Sequence, residues 1–119
     1  MFNTHNTPGA NISWRVTQGS SFRGYVDTTY DKLVEVFGPG LLNPDEDKVQ
    51  VEWGIRFVDG TVATIYDWKE GPGYRKDPVK YQNVTHWHIG GLRNDHPKAV
   101  HQVHEALGLI ANPDKQPSI

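Results

Sequence analysis

The chain has no cysteine among its 119 residues. Structural disulfides, thiolate metal sites and thiol catalysis are therefore excluded, and the composition suits a cytoplasmic protein. No apolar run approaches the length that crosses a bilayer. Met1 to Gly9 is polar without an apolar centre, so a signal peptide is not expected. A basic excess is also lacking: 12 Lys and Arg against 14 Asp and Glu leave a net charge of -2 and a pI near 6.3. That balance argues against a generic nucleic-acid or membrane-surface binder. There is no nucleophile-elbow motif, no glycine-rich phosphate loop and no His-Glu-x-x-His zinc signature.

Aromatic residues are plentiful instead, with four Trp, five Tyr and four Phe. In a domain this small they fill the core, and some reach the surface as stacking partners. The length fits one domain. Its expected limits are residues 11–111, with a flexible lead over 1–10 and a frayed polar tail over 112–119.

Alternation of apolar and polar residues predicts strands at Ile12–Thr17 and Phe22–Asp27, joined as a hairpin. Phe22, Gly24 and Val26 are expected to share a face, with Gly24 marking a bulge or a close approach. Thr28 is the expected cap of a helix whose stripe is Tyr30, Leu33, Val34 and Phe37, ended by Gly38-Pro39-Gly40. Lys48–Val58 alternates most clearly, and Asp59-Gly60 predicts a two-residue hairpin turn into Thr61–Trp68. That turn sets Phe57 opposite Val62, Trp53 opposite Tyr66 and Val51 opposite Trp68, all facing the core. It also makes Glu52 and Asp67 neighbours that could share a proton. Residues 69–84 read as a long irregular loop, either a lid or a tether. Thr85–Ile89 is the last strand, broken by Gly90-Gly91. Asp95 is expected to cap a final helix, His96 to Ile110, with the stripe Val100, Val103 and Leu107 beside Ala99. The expected fold is α+β: an antiparallel sheet, order β-β-α-β-β-β-α, with two helices packed on one face and the other face open.

The histidines offer ligand chemistry, but His86 and His88 should sit on the sheet face opposite His101 and His104. No metal site, catalytic residue or cofactor is therefore expected. The strongest binding candidate is Trp87 to Asn94. Gly90 and Gly91 allow close approach, the next helix offers an amino end for an anion, and Arg93 and Asn94 add donors. Trp87 or Tyr74 could stack on a base, and Arg56 or Arg75 could meet phosphate. His88 completes this set from the open face. The plain alternative is a strand-to-helix turn whose anion position is filled by Asp95, beneath a solvated sheet face.

Gly24-Tyr25-Val26, Thr29 through Gly38, Val51-Glu52-Trp53, Asp59 through Lys69 and Trp87 through Gly91 together resemble small proteins encoded by tailed bacteriophages. Within that group the chain is most similar to the Thoeris anti-defence sponge proteins. The resemblance spans about residues 24–107. It implies a helix-on-sheet protomer that forms homo-oligomers in the cytoplasm of an infected bacterial host. It also implies a pocket that holds a cyclic ADP-ribose or cyclic-nucleotide signal without cleaving it. The alternatives are an anti-CRISPR-like inhibitor of a host defence nuclease and a small metal-dependent hydrolase.

Overall fold

The computed structural model describes the backbone of residues 2–4, and residues 21–42, 49–69, 77–92 and 97–109. In chain order these form β1 (Phe2–Thr4), β2 (Ser21–Asp27), α1 (Tyr30–Phe37), β3 (Leu41–Leu42) and β4 (Val51–Phe57). There follow β5 (Val62–Tyr66), one 3-10 turn (Tyr81–Asn83), β6 (His86–Gly91) and α2 (Lys98–Ala106). The strands pair antiparallel in the order β1-β4-β5-β6-β2, and β3 also pairs with β4. The expected α+β architecture is present.

Both helices lie on one face of the sheet, because their apolar stripes share one core with it. Leu33 and Phe37 of α1, and Ala99 and Val103 of α2, meet Val51, Trp53, Ile55, Ile65, Trp87 and Ile89. Apart from Ala99, each of these buried side chains contributes about 1.5–3 kcal/mol. Trp53 and Trp87 meet edge to face at 5.5 Å, and their indole N–H groups fix α1. Trp53 Nε1 donates to Gly38 O at 2.8 Å, just past the helix, and Trp87 Nε1 donates to Thr28 O at 3.0 Å, just before it. A buried indole needs such an acceptor, so the two tryptophans both fill the core and set the ends of the helix.

The N-cap of α1 is Thr29, whose Oγ1 accepts from Lys32 N at 3.1 Å. The expected cap, Thr28, instead donates its N–H to Thr85 O and so prolongs the β2–β6 pairing. Helix α2 ends in a Schellman motif, with Leu109 N bonded to His104 O and Gly108 N to Glu105 O. Its most buried residues are Ala99 and Val103, with Val100 at the flank. The N-cap of α2 is Pro97, not the expected Asp95, and the helix starts at Lys98. Asp95 itself, the expected end at Ile110, the Ile12–Thr17 strand and the 112–119 tail lie outside the described residues. Phe2–Thr4, expected within a flexible lead, is a strand on β4. A run of three residues is too short to show a period.

The largest departure is the β4–β5 register. The observed pairs are Glu52 with Tyr66, Trp53 with Ile65, Gly54 with Thr64, Ile55 with Ala63 and Arg56 with Val62. The loop has three residues, Val58-Asp59-Gly60, closed by Phe57 N to Thr61 O at 2.8 Å and Gly60 N to Phe57 O at 2.9 Å. Gly60 takes a positive φ of 90°, as the third residue of a three-residue hairpin loop requires. Adding one residue to the loop shifts the ladder by one, and every β5 side chain changes face. Ala63 and Ile65 face the core, while Thr64, Tyr66 and Trp68 belong to the opposite set.

The same shift separates Glu52 from Asp67. Asp67 is fully buried and accepts from Gln50 N (2.8 Å), Val51 N (3.0 Å) and Gln50 Nε2 (2.7 Å). Gln50 Nε2 also reaches Val79 O at 3.0 Å. This ties down the second half of the segment expected to be an irregular lid or tether. Val84 there is buried, and Tyr81 meets Tyr30 edge-on at 5.2 Å. Asp67→Ala removes an acceptor shared by three buried donors and should destabilise the fold by about 3 kcal/mol. Urea unfolding checks this; a loss under about 1 kcal/mol would show that water replaces the carboxylate.

Candidate functional site

A bulge in β2 gives the open face its character. The register shifts between Phe22 and Gly24, so Phe22 pairs with Gly90 and Tyr25 with His88. Phe22 and Tyr25 therefore stand on the same face, where simple alternation had placed Phe22 with Val26. Gly24 turns to the helix layer, where an added Cβ would come within 2.9 Å of Val100 Cγ2. The expected bulge occurs here, and what approaches Gly24 is the Val100 side chain rather than a backbone or a ligand.

The bulge and the hairpin register together assemble five rings from three strands and the residues after β5. Phe22, Tyr25, Tyr66, Trp68 and His88 line a concavity of about 380 Å³. His88 is central: its ring lies 5.0 Å from Tyr25, 5.3 Å from Phe22, 5.6 Å from Tyr66 and 6.4 Å from Trp68. Tyr66 stacks on it with planes 26° apart. Phe22 is 47% exposed, Tyr25 49% and Trp68 38%, so these faces are open to a planar ligand. The volume lies within the range for small-molecule sites.

Two polar features border the rings. His86 stacks at 4.5 Å on Tyr25, and its Nδ1 lies 2.6 Å from Asp27 Oδ1. At the Trp68 side, Lys69 Nζ lies 5.6 Å from the indole centroid, within cation–π range. Burial raises the Tyr66 phenol above its ordinary value near 10, and the neighbouring Tyr25 adds to the shift. Tyr66 thus stays a neutral hydroxyl donor through the physiological range.

Of the sequence-based candidates, His88 lies at the centre of this site. Trp87 does not belong to it: the indole is fully buried and hydrogen-bonded to Thr28, so it cannot stack on a ligand. Gly90 and Gly91 are not a turn but the last residues of β6. Gly91 admits α2, since an added Cβ would lie 2.8 Å from Ala99 Cβ. Gly90 admits Thr64 Oγ1 on the open face, where the same Cβ would collide. Both glycines therefore serve packing within the chain. Arg56 is exposed on β4 and does not line the concavity. Tyr74, Arg75, Arg93 and Asn94 lie outside the described residues.

The expected site lacks Phe22, Tyr66 and Trp68. A three-residue loop moves the last two to the open face, where a two-residue loop turns them to the core. His86 and His88 lie on that face, while His101 pairs with Glu105 at 3.4 Å on α2, and His104 Nε2 meets Tyr25 O at 2.8 Å. Among the described residues no three His, Asp or Glu side chains converge as metal ligands. No described helix is long and apolar enough to cross a membrane.

Away from the rings, the hairpin loop is clasped to α2. Gln102 Nε2 donates to Asp59 Oδ2 at 2.7 Å, and Thr61 N donates to Asp59 Oδ1 at 3.0 Å. The Thr61 amide is the main cause holding the Asp59 carboxyl below its ordinary value. No protein-family model, curated protein or solved structure matches the chain.

The Tyr66 shift gives a pH test. Its folded pKa is raised, so its contribution to stability is full below about 10 and is lost as pH rises through the folded value. Tyr66→Phe should therefore flatten the alkaline fall in thermal stability above about pH 10. An unchanged alkaline profile would show that Tyr66 ionises like a solvated phenol.

Proposed function

We propose that this protein is a non-enzymatic binding protein that stacks the base of a cyclic-nucleotide or cyclic ADP-ribose-type signal in its open-face concavity. By holding that signal uncleaved, it withdraws it from an antiviral defence in the cytoplasm of an infected bacterium. The observation that carries this reading is the ring of Phe22, Tyr25, Tyr66 and Trp68 around His88. Stacking of a base on such rings contributes about 1–3 kcal/mol each, and Tyr66 adds a neutral donor beside them. The phage-protein resemblance supplies the biological setting. Sequestering a scarce signal requires exclusion of water. A second copy of the chain laid over the half-exposed rings would provide the cover, in keeping with the expected homo-oligomer.

A second reading has its own support. Exposed aromatic rings are also frequent anchors in protein interfaces, so the same face suits an inhibitor docked on a host defence nuclease. Thermal unfolding against cyclic nucleotides and cyclic ADP-ribose isomers separates the two readings. A ligand at about a hundred times its dissociation constant stabilises the fold by about 2.7 kcal/mol, several degrees for a domain of this size. Tyr25→Ala and Trp68→Ala should each weaken that ligand by about tenfold or more while the unliganded melting temperature holds. No shift with any of these ligands would favour the protein-docking reading.

A further inference from the structure

The geometry points to Lys69 as the residue that selects a phosphate-bearing ligand over the corresponding nucleoside in this concavity. The inference rests on the stacking reading above and adds the ligand's charge and orientation. Two observations carry it. First, Lys69 follows directly on Trp68, which lines the concavity, and its ammonium lies 5.6 Å from the Trp68 ring centroid. A base stacked on the ring cluster would place its substituents within reach of that ammonium. Second, Lys69 is the one non-glycine residue with positive φ among the described residues, at 57°. A Cβ makes this conformation unfavourable, so glycine or asparagine is the usual occupant. Strained backbone of this kind concentrates at ligand sites, where the surroundings hold it.

The opposite end of the cluster differs in charge. His86 stacks on Tyr25, and its Nδ1 is engaged by the Asp27 carboxylate. The ring platform thus runs from a carboxylate beside Tyr25 to an ammonium beside Trp68. At the first end the carboxylate is already engaged by His86 and offers an anionic group no donor, whereas the ammonium at the second attracts it. A bound nucleotide therefore lies with its base over His88 and Tyr66 and its phosphate toward Lys69. A nucleoside gains the stacking but not the ion pair.

Quenching of tryptophan fluorescence by cyclic AMP and by adenosine tests this directly. The wild-type protein should bind cyclic AMP about tenfold or more tightly than adenosine, as a charge-assisted contact implies. The gap should shrink as salt rises. Lys69→Gly and Lys69→Gln should bring the two affinities together, and Lys69→Arg should restore the gap. Lys69→Gly also relieves the positive φ, so its melting temperature should equal or exceed that of the wild type. This separates loss of the contact from loss of folding. Equal binding of the two ligands by the wild type would overturn the role of Lys69 and leave the stacking site standing, as would a gap that survives Lys69→Gly. Quenching by neither ligand at millimolar concentration would overturn both.

Discussion

Asp67 accepts hydrogen bonds from Gln50 and Val51 at one end of the β4–β5 ladder, and Phe57 and Thr61 close the other end around a three-residue loop. Between these two fixtures the register has no freedom. A slip of one residue would expose the Asp67 carboxylate, strand three amide donors in the core and bury Tyr66 and Trp68. The cost of unmet buried hydrogen bonds, about 1–3 kcal/mol for each group, exceeds any gain from exchanging one apolar side chain for another. The arrangement of rings on the open face depends on this lock.

The sheet then separates two kinds of aromatic residue. Trp53 and Trp87 are inside, each with its indole N–H committed to a carbonyl at one end of α1. Their work is to seat the helix. Phe22, Tyr25, Tyr66 and Trp68 are outside, gathered around His88. Rings on the outer face of an antiparallel sheet are exposed at a cost in solvation. Collected in one concavity, they form a surface suited to a flat partner.

Most of the fold was legible because it follows from patterns with long reach. The alternation from Val51 to Phe57 and the stripes of α1 and α2 each repeat over two or more periods, and the helix stop at Gly38-Pro39-Gly40 has a local cause. The site was less legible. Along β5 and the residues that flank it, Thr61, Ala63, Ile65 and Asp67 alternate with Val62, Thr64, Tyr66 and Trp68, and both sets are partly apolar. A carboxylate reads as outward-facing, yet the donors that bury Asp67, on Gln50 and Val51, come from a distant part of the sequence and leave no mark near it. The β2 bulge misleads in the same way, since one extra residue moves Phe22 across the sheet. Trp87 and the two glycines looked like parts of a site because binding and close packing ask for the same residue types.

The pairing of β1 and β3 with β4 has a consequence for the behaviour of the chain in concentrated solution. β4 carries the most regular apolar alternation in the protein, and a bare edge on such a strand would template addition of further chains. Leu41 and Leu42 pair with Glu52 and Val51, while Phe2, Asn3 and Thr4 pair with Phe57, Arg56 and Ile55. Two short segments from distant parts of the sequence thus share one edge and leave only a brief gap between them. Neither is long enough to extend the sheet by itself. The strand best suited to nucleating fibrils is in this way withheld from its copies.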